Sequence, residues 1–111
     1  MIDLLEAALR SHAFHFGTER ELQDGIAAVL AAVAPEREWA MGSDRPDFFI
    51  EGVAIEVKID GSLSALTRQC HRYAQQGEVS AILVVTNRHR LARLPESING
   101  KPVRVVKVGS L

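Results

Sequence analysis

Asp47, Glu56 and Lys58 are the residues of this 111-residue chain whose types and spacing could do chemistry. They lie in the run Arg45-Pro46-Asp47-Phe48-Phe49-Ile50-Glu51-Gly52-Val53-Ala54-Ile55-Glu56-Val57-Lys58, most of which is apolar. Strand interiors rich in Val, Ile and Phe are built to be dry, so carboxylates and an ammonium placed there need a reason, which a metal ion and a phosphate would supply. Converging carboxylates bind a hard divalent cation, because Mg²⁺ takes oxygen ligands and keeps waters and phosphate oxygens beside them. Mn²⁺ suits the same oxygen donors and is the expected substitute. Lys58, two residues beyond Glu56 on the same strand face and about 6–7 Å along it, reaches a water or phosphate oxygen next to such an ion. A set of this kind can activate water, stabilise charge on a phosphoryl group and orient both.

These groups must be positioned by strands. Val53, Ile55, Val57 and Ile59 alternate with Ala54, Glu56 and Lys58, which predicts a strand over 53–59 with the first set toward the core and the second toward the chemistry. A strand over 47–51 precedes it, with Gly52 as the hairpin turn, and Glu38-Trp39-Ala40-Met41 reads as a shorter strand before the turn-rich Gly42 to Pro46. Ser80 to Thr86 is a continuous apolar run of strand length, expected to be central and covered on both faces. Residues 103–108 alternate poorly and carry Arg104 and Lys107, as an edge strand often does, after a turn at Asn99-Gly100.

Helices complete the pattern. Ile2, Leu4, Leu5, Ala8 and Leu9 recur at roughly helical spacing, and the connector through Phe14 and Phe16 is expected to tuck both rings into the core. Thr18 with Glu21 forms a Thr-x-x-Glu capping box for a helix that runs to about Ala34, before Pro35. On a helical wheel Leu22, Ile26, Val29, Leu30 and Val33 form one stripe, and Glu19 falls inside it while Glu21 does not. A carboxylate on the core-facing side of a first turn can point along the core edge into a site, which makes Glu19 a candidate additional metal ligand. Ser62 caps a helix from Leu63 to about Gln76, with Gln69 and Tyr73 on one face and Arg68 and Arg72 on another. Leu91 to Leu94 suggests a helical turn, after the basic turn Asn87-Arg88-His89-Arg90.

The whole reads as one α/β domain, residues 1–111, with a mixed sheet flanked by helices. Its longest apolar run, Ile26 to Ala34, is too short to span a bilayer, and the single Cys70 fits a reducing compartment, so the expected location is cytoplasmic, without membrane association. Residues 1–57 carry eleven acidic and four basic side chains and residues 58–111 three acidic and nine basic, about −7 against +6. The split fits a carboxylate site facing a basic surface, and equally two faces that pair across the fold. His12, His15, Cys70 and His71 show no zinc-ligand spacing.

Pro46-Asp47, eight intervening residues, then Glu56-Val57-Lys58 resembles the PD-(D/E)xK nuclease superfamily, which includes many restriction endonucleases, Holliday-junction resolvases and VRR-type nucleases. Gly17-Thr18-Glu19-Arg20-Glu21-Leu22 looks like the first-helix signature of the resolvase-like members, and Gln69-x-x-x-Tyr73 is similar to a motif of the exonuclease-like branch. The likeness extends from about residue 17 to 86. It implies a restriction-endonuclease-like core and a Mg²⁺-dependent deoxyribonuclease, taken here as an endonuclease. Asp47 and Glu56 would bind the metal, with the Val57 carbonyl and Glu19 as further ligands. Lys58 would position or polarise the attacking water, and Gln69 and Tyr73 would be auxiliary.

Arg45, Arg68, Arg72, Arg88 and Arg90 are the candidate nucleic-acid contacts. A core this small has little footprint, so a homodimer or a partner protein is expected, through the last strand or the second helix. The alternative is a non-catalytic nucleic-acid-binding or assembly module on the same fold.

Overall fold

A computed structural model describes residues 1–109. It contains three α-helices, α1 (Ile2–Arg10), α2 (Glu19–Val29) and α3 (Leu63–Ala74), and six strands, β1 (Glu36–Arg37), β2 (Phe48–Ile50), β3 (Val53–Val57), β4 (Ala81–Thr86), β5 (Ser97–Ile98) and β6 (Lys101–Lys107). The strands form one mixed sheet in the order β1-β2-β3-β4-β6-β5. β3, β4 and β6 run parallel, whereas β1, β2 and β5 join by antiparallel pairing. No helix among the described residues is long and apolar enough to cross a membrane.

Two cores result. On one face Leu5 and Leu9 of α1, Leu22 and Ile26 of α2, and Phe14 and Phe16 of the connector pack on Ile55, Val57, Leu83 and Val85. On the other, Leu66, Cys70, Tyr73 and Ala74 of α3 pack on Ala54, Ile82 and Val84, with Leu91 of a 3-10 turn over His89–Arg93. Sequence alternation placed Ala54 and Glu56 on a face reserved for chemistry. That face is covered by α3, and every residue of β3 and of β4 is buried.

Local chemistry sets the element ends. The Thr18 hydroxyl accepts from Glu21 N at 3.1 Å and the Glu21 carboxylate accepts from Gly17 N at 3.3 Å, so the capping box forms one residue further out than the usual pairing. α2 stops at Val29 rather than near Ala34: beyond it the amides of Ala31 and Val33 bond three residues back, to the Ala28 and Leu30 carbonyls, and Ala34, the residue before Pro35, takes φ +47°. The strand expected at 38–41 is instead β1 at residues 36–37. Glu38 leaves the extended region at φ +51°, and Trp39 stacks on Phe49 with ring centroids 4.3 Å apart. β2 is shorter than expected, so Asp47 stands just before it. β3 ends at Val57, two residues early, and α3 ends at Ala74 rather than Gln76. The last strand is not an edge: β6 lies between β4 and the short hairpin partner β5, which sequence reading missed.

The β2–β3 hairpin turns through Glu51 and Gly52, at φ +44° and +82°, and Ser80 closes on it through its amide, 2.7 Å from the Gly52 carbonyl. A Cβ at Gly52 would stand 2.4 Å from Ser80 Oγ. Gly52→Ala is therefore expected to cost about 1–3 kcal/mol. Gly77→Ala, which meets nothing within 4 Å, is expected to change stability by under about 1 kcal/mol. Urea unfolding of the two variants checks the contrast, and equal midpoints would remove the steric argument.

Candidate functional site

Antiparallel pairing of β2 with β3 sets Phe48 opposite Ile55, which brings Asp47, one residue earlier, to the carboxyl end of β3. There Asp47 Oδ2 accepts a hydrogen bond from Val57 N at 2.8 Å. Phe48 faces the core under α1 and α2, so Asp47 and Phe49 face the α3 side, as Glu56 and Lys58 do. Parallel pairing of β3 with β4 continues past the strand end through Lys58 N, which donates to Val85 O at 2.9 Å. The carboxyl ends of β3 and β4 thus frame one site.

Glu56 is buried, 4% exposed, beneath α3. Its Oε1 accepts from the Tyr73 hydroxyl at 2.7 Å, and Gln69 Nε2 donates to that hydroxyl oxygen at 3.0 Å. The four-residue spacing that put Gln69 and Tyr73 on one helical face therefore builds a relay ending on the carboxylate. Burial and the Glu56 charge raise the Tyr73 pKa, which keeps its hydroxyl a donor. The same two causes push the Cys70 thiol up to about 12, so Cys70 is a core residue and not a nucleophile.

Electrostatics couple the members of the set. Burial, then the Asp47 charge, push the Glu56 carboxyl up to about 8; the Tyr73 hydrogen bond and the Lys58 charge oppose this. Asp47 is pushed up to about 6 by burial, with the Glu19 and Glu38 charges adding and the Val57 amide and Lys58 opposing. With one carboxylate buried and its neighbour half-buried, the site is short of positive charge. No protein donor among the described residues bonds Asp47 Oδ1 or Glu56 Oε2.

Glu19 reaches the site from the opposite layer. Its Oε1 accepts from Ile59 N at 3.2 Å, which explains why β3 ends early: the amide that would extend the ladder is turned toward α2. The Ile59 carbonyl accepts from Arg88 Nε at 2.8 Å, so the residue after Lys58 is held at both its amide and its carbonyl. Lys58 Cε lies 3.7 Å from where a Cβ on Gly61 would stand, and Gly61 has φ +94°.

Other expected contacts are more dispersed. Arg68 and Arg72 lie on the exposed face of α3, but Arg72 Nε is 3.0 Å from Asp44 Oδ1 and Arg68 bonds Ser64. Arg45 is exposed in the turn before Asp47, and Arg90 bonds the Gly61 carbonyl. The acidic and basic halves do pair across the fold where Arg104 meets Asp3 and Glu6 and Arg72 meets Asp44.

Sequence reading missed Glu38, whose charge bears on Asp47, and the Ile59 backbone; neither carries a periodic signal. Among the described residues no group of three or more His, Cys, Asp or Glu side chains stands as a ready metal cluster. No protein-family model, curated protein or solved structure matches the chain.

A carboxyl with a higher pKa folded than unfolded adds stability that is full below its unfolded value near 4 and lost as pH rises through its folded value. With Asp47 near 6 and Glu56 near 8, the metal-free protein is expected to melt roughly 5 °C or more lower at pH 8.5 than at pH 5. Glu56→Gln is expected to flatten that slope. Thermal melts in chelator check it, and a Glu56→Gln slope equal to wild type would refute the assignment.

Proposed function

We propose that this chain is a small divalent-metal-dependent nuclease of the PD-(D/E)xK kind, on a restriction-endonuclease-like core, that hydrolyses phosphodiester bonds of DNA. The observation that carries this reading is the meeting of Asp47 and Glu56, each with a raised pKa, at the end of β3 beside Lys58.

The donor set suits a hard cation: both groups are carboxylates, both are partly desolvated, and each keeps an oxygen that no protein donor takes. Asp47 and Glu56 would hold Mg²⁺ or Mn²⁺, with the Val57 carbonyl as a further ligand. Glu19, whose Oε1 already accepts from Ile59 N, would join only by moving closer, since the three carboxylates do not stand as one cluster. When bound, the ion supplies Lewis-acid stabilisation of the phosphoryl oxygens and lowers the pKa of a coordinated water. The chain's own residues do the rest. Lys58 orients the water and offers its ammonium to a phosphate oxygen. Tyr73 and Gln69 hold Glu56 in one orientation, so its free oxygen need not search. Arg45, Arg68, Arg88 and Arg90 contact the substrate backbone, whereas Arg72 is taken by Asp44, and a homodimer or a partner protein supplies the remaining footprint.

Labelled single-stranded, duplex and branched DNA incubated with Mg²⁺ or Mn²⁺ tests the proposal. Wild type is expected to cut at least one of them, and Lys58→Ala and Asp47→Asn are expected to lose at least about 100-fold in rate while keeping their circular dichroism spectrum. Folded wild-type protein that cuts none, or a Lys58→Ala variant that cuts as well as wild type, would defeat it.

A further inference from the structure

Two groups of arginines in this fold are held in different ways. Arg10, Arg37, Arg72 and Arg104 each lie within 3.1 Å of a carboxylate, which takes up their charge. Arg88 and Arg90 are held by neutral carbonyls instead. Arg88 Nε donates to Ile59 O at 2.8 Å, and Arg90 donates to Gly61 O through Nη2 at 2.8 Å and Nε at 3.3 Å. Among the described residues the only carboxylate within 4 Å of either is Asp60, 3.9 Å from Arg90 and itself 92% exposed. A carbonyl occupies one or two of the five guanidinium N–H groups and none of the charge. Both guanidinium groups are thus fixed in place with their charge unspent.

The frame that holds them is itself hydrogen-bonded. Ile59 is gripped by Glu19 through its amide and by Arg88 through its carbonyl, and Arg88's own amide bonds Thr86 Oγ1 at 3.1 Å. The site adjoins Lys58, since the Gly61 that anchors Arg90 lies against the Lys58 side chain. Pre-ordered, planar, exposed guanidinium groups suit phosphate oxygens, because the ordering cost has already been met in the folded state.

We propose that Arg88 and Arg90 form a preset site for a second backbone phosphate, next to the one at Lys58. The substrate is then a polynucleotide strand that continues beyond the scissile bond, not an isolated phosphodiester. This rests on the nuclease reading for its chemistry but on the arginine geometry for its phosphate.

Two measurements separate the two. The first compares Mn²⁺-supported hydrolysis of a single-stranded oligothymidylate with that of bis(p-nitrophenyl) phosphate, which has no second phosphate. Arg88→Gln and Arg90→Gln are expected to lose at least tenfold more in kcat/KM on the oligonucleotide than on the small diester. The second follows anisotropy of the labelled oligonucleotide against salt in an Asp47→Asn background with Ca²⁺. There each Gln substitution is expected to reduce the slope of log K on log salt by about 0.7, and Arg90→Lys is expected to keep it.

Equal losses on both substrates would overturn the proposal, because the arginines would then act only through the loop beside Lys58. An unchanged salt slope would overturn it too. Oligonucleotide binding that depends on both arginines, in a protein that cuts neither substrate, would sink the nuclease reading and leave the phosphate site standing.

Discussion

Glu56 is a carboxylate on a central strand whose every neighbour along the strand is buried, and that placement is tolerable only if something satisfies it. Tyr73 does so from above, and Gln69 holds Tyr73. The position of α3 over the sheet is therefore tied to a polar contact as well as to the apolar packing of Leu66, Cys70 and Ala74. A buried polar network of this kind is stabilising only when each member has its partner. Here one carboxylate oxygen takes no protein donor among the described residues, and the charges of Asp47 and Lys58 bear on the group.

The same end of the sheet gathers groups from every layer. β2 brings Asp47 by antiparallel pairing, β3 brings Glu56 and Lys58, β4 leads into Arg88, and α2 sends Glu19 around the sheet end to Ile59. Carboxyl ends of parallel strands are natural places for sites, because the chain leaves the ladder there and its polar groups become available. In this protein the departure is itself held in place. Ile59, where the chain leaves β3, is held at its amide by an acid and at its carbonyl by a cation, so the loop beside Lys58 is ordered by charge-assisted hydrogen bonds in place of strand pairing.

Charge organisation follows from this frame. Ion pairs join the two halves of the chain at Arg104 with Asp3 and Glu6, and at Arg72 with Asp44, which uses two of the nine basic side chains of the second half structurally. What remains beside the carboxylates is a smaller, more specific set. Two acids with raised pKa values stand next to a lysine, and two exposed arginines are held by carbonyls.

Much of this was legible beforehand. Alternation in Val53 to Lys58 located the strand and paired Glu56 with Lys58, helical spacing joined Gln69 to Tyr73, and the wheel singled out Glu19 over Glu21. Such readings succeed because side-chain direction in a strand or helix is a matter of period alone. What period could not supply was the environment. That Glu56 lies in a second core, that β6 is interior, that β3 stops two residues early and that Arg88 grips Ile59 all depend on which elements meet across the sheet. Those meetings join residues far apart in the chain, and they are decided by packing and hydrogen-bond satisfaction, for which local sequence carries no signal.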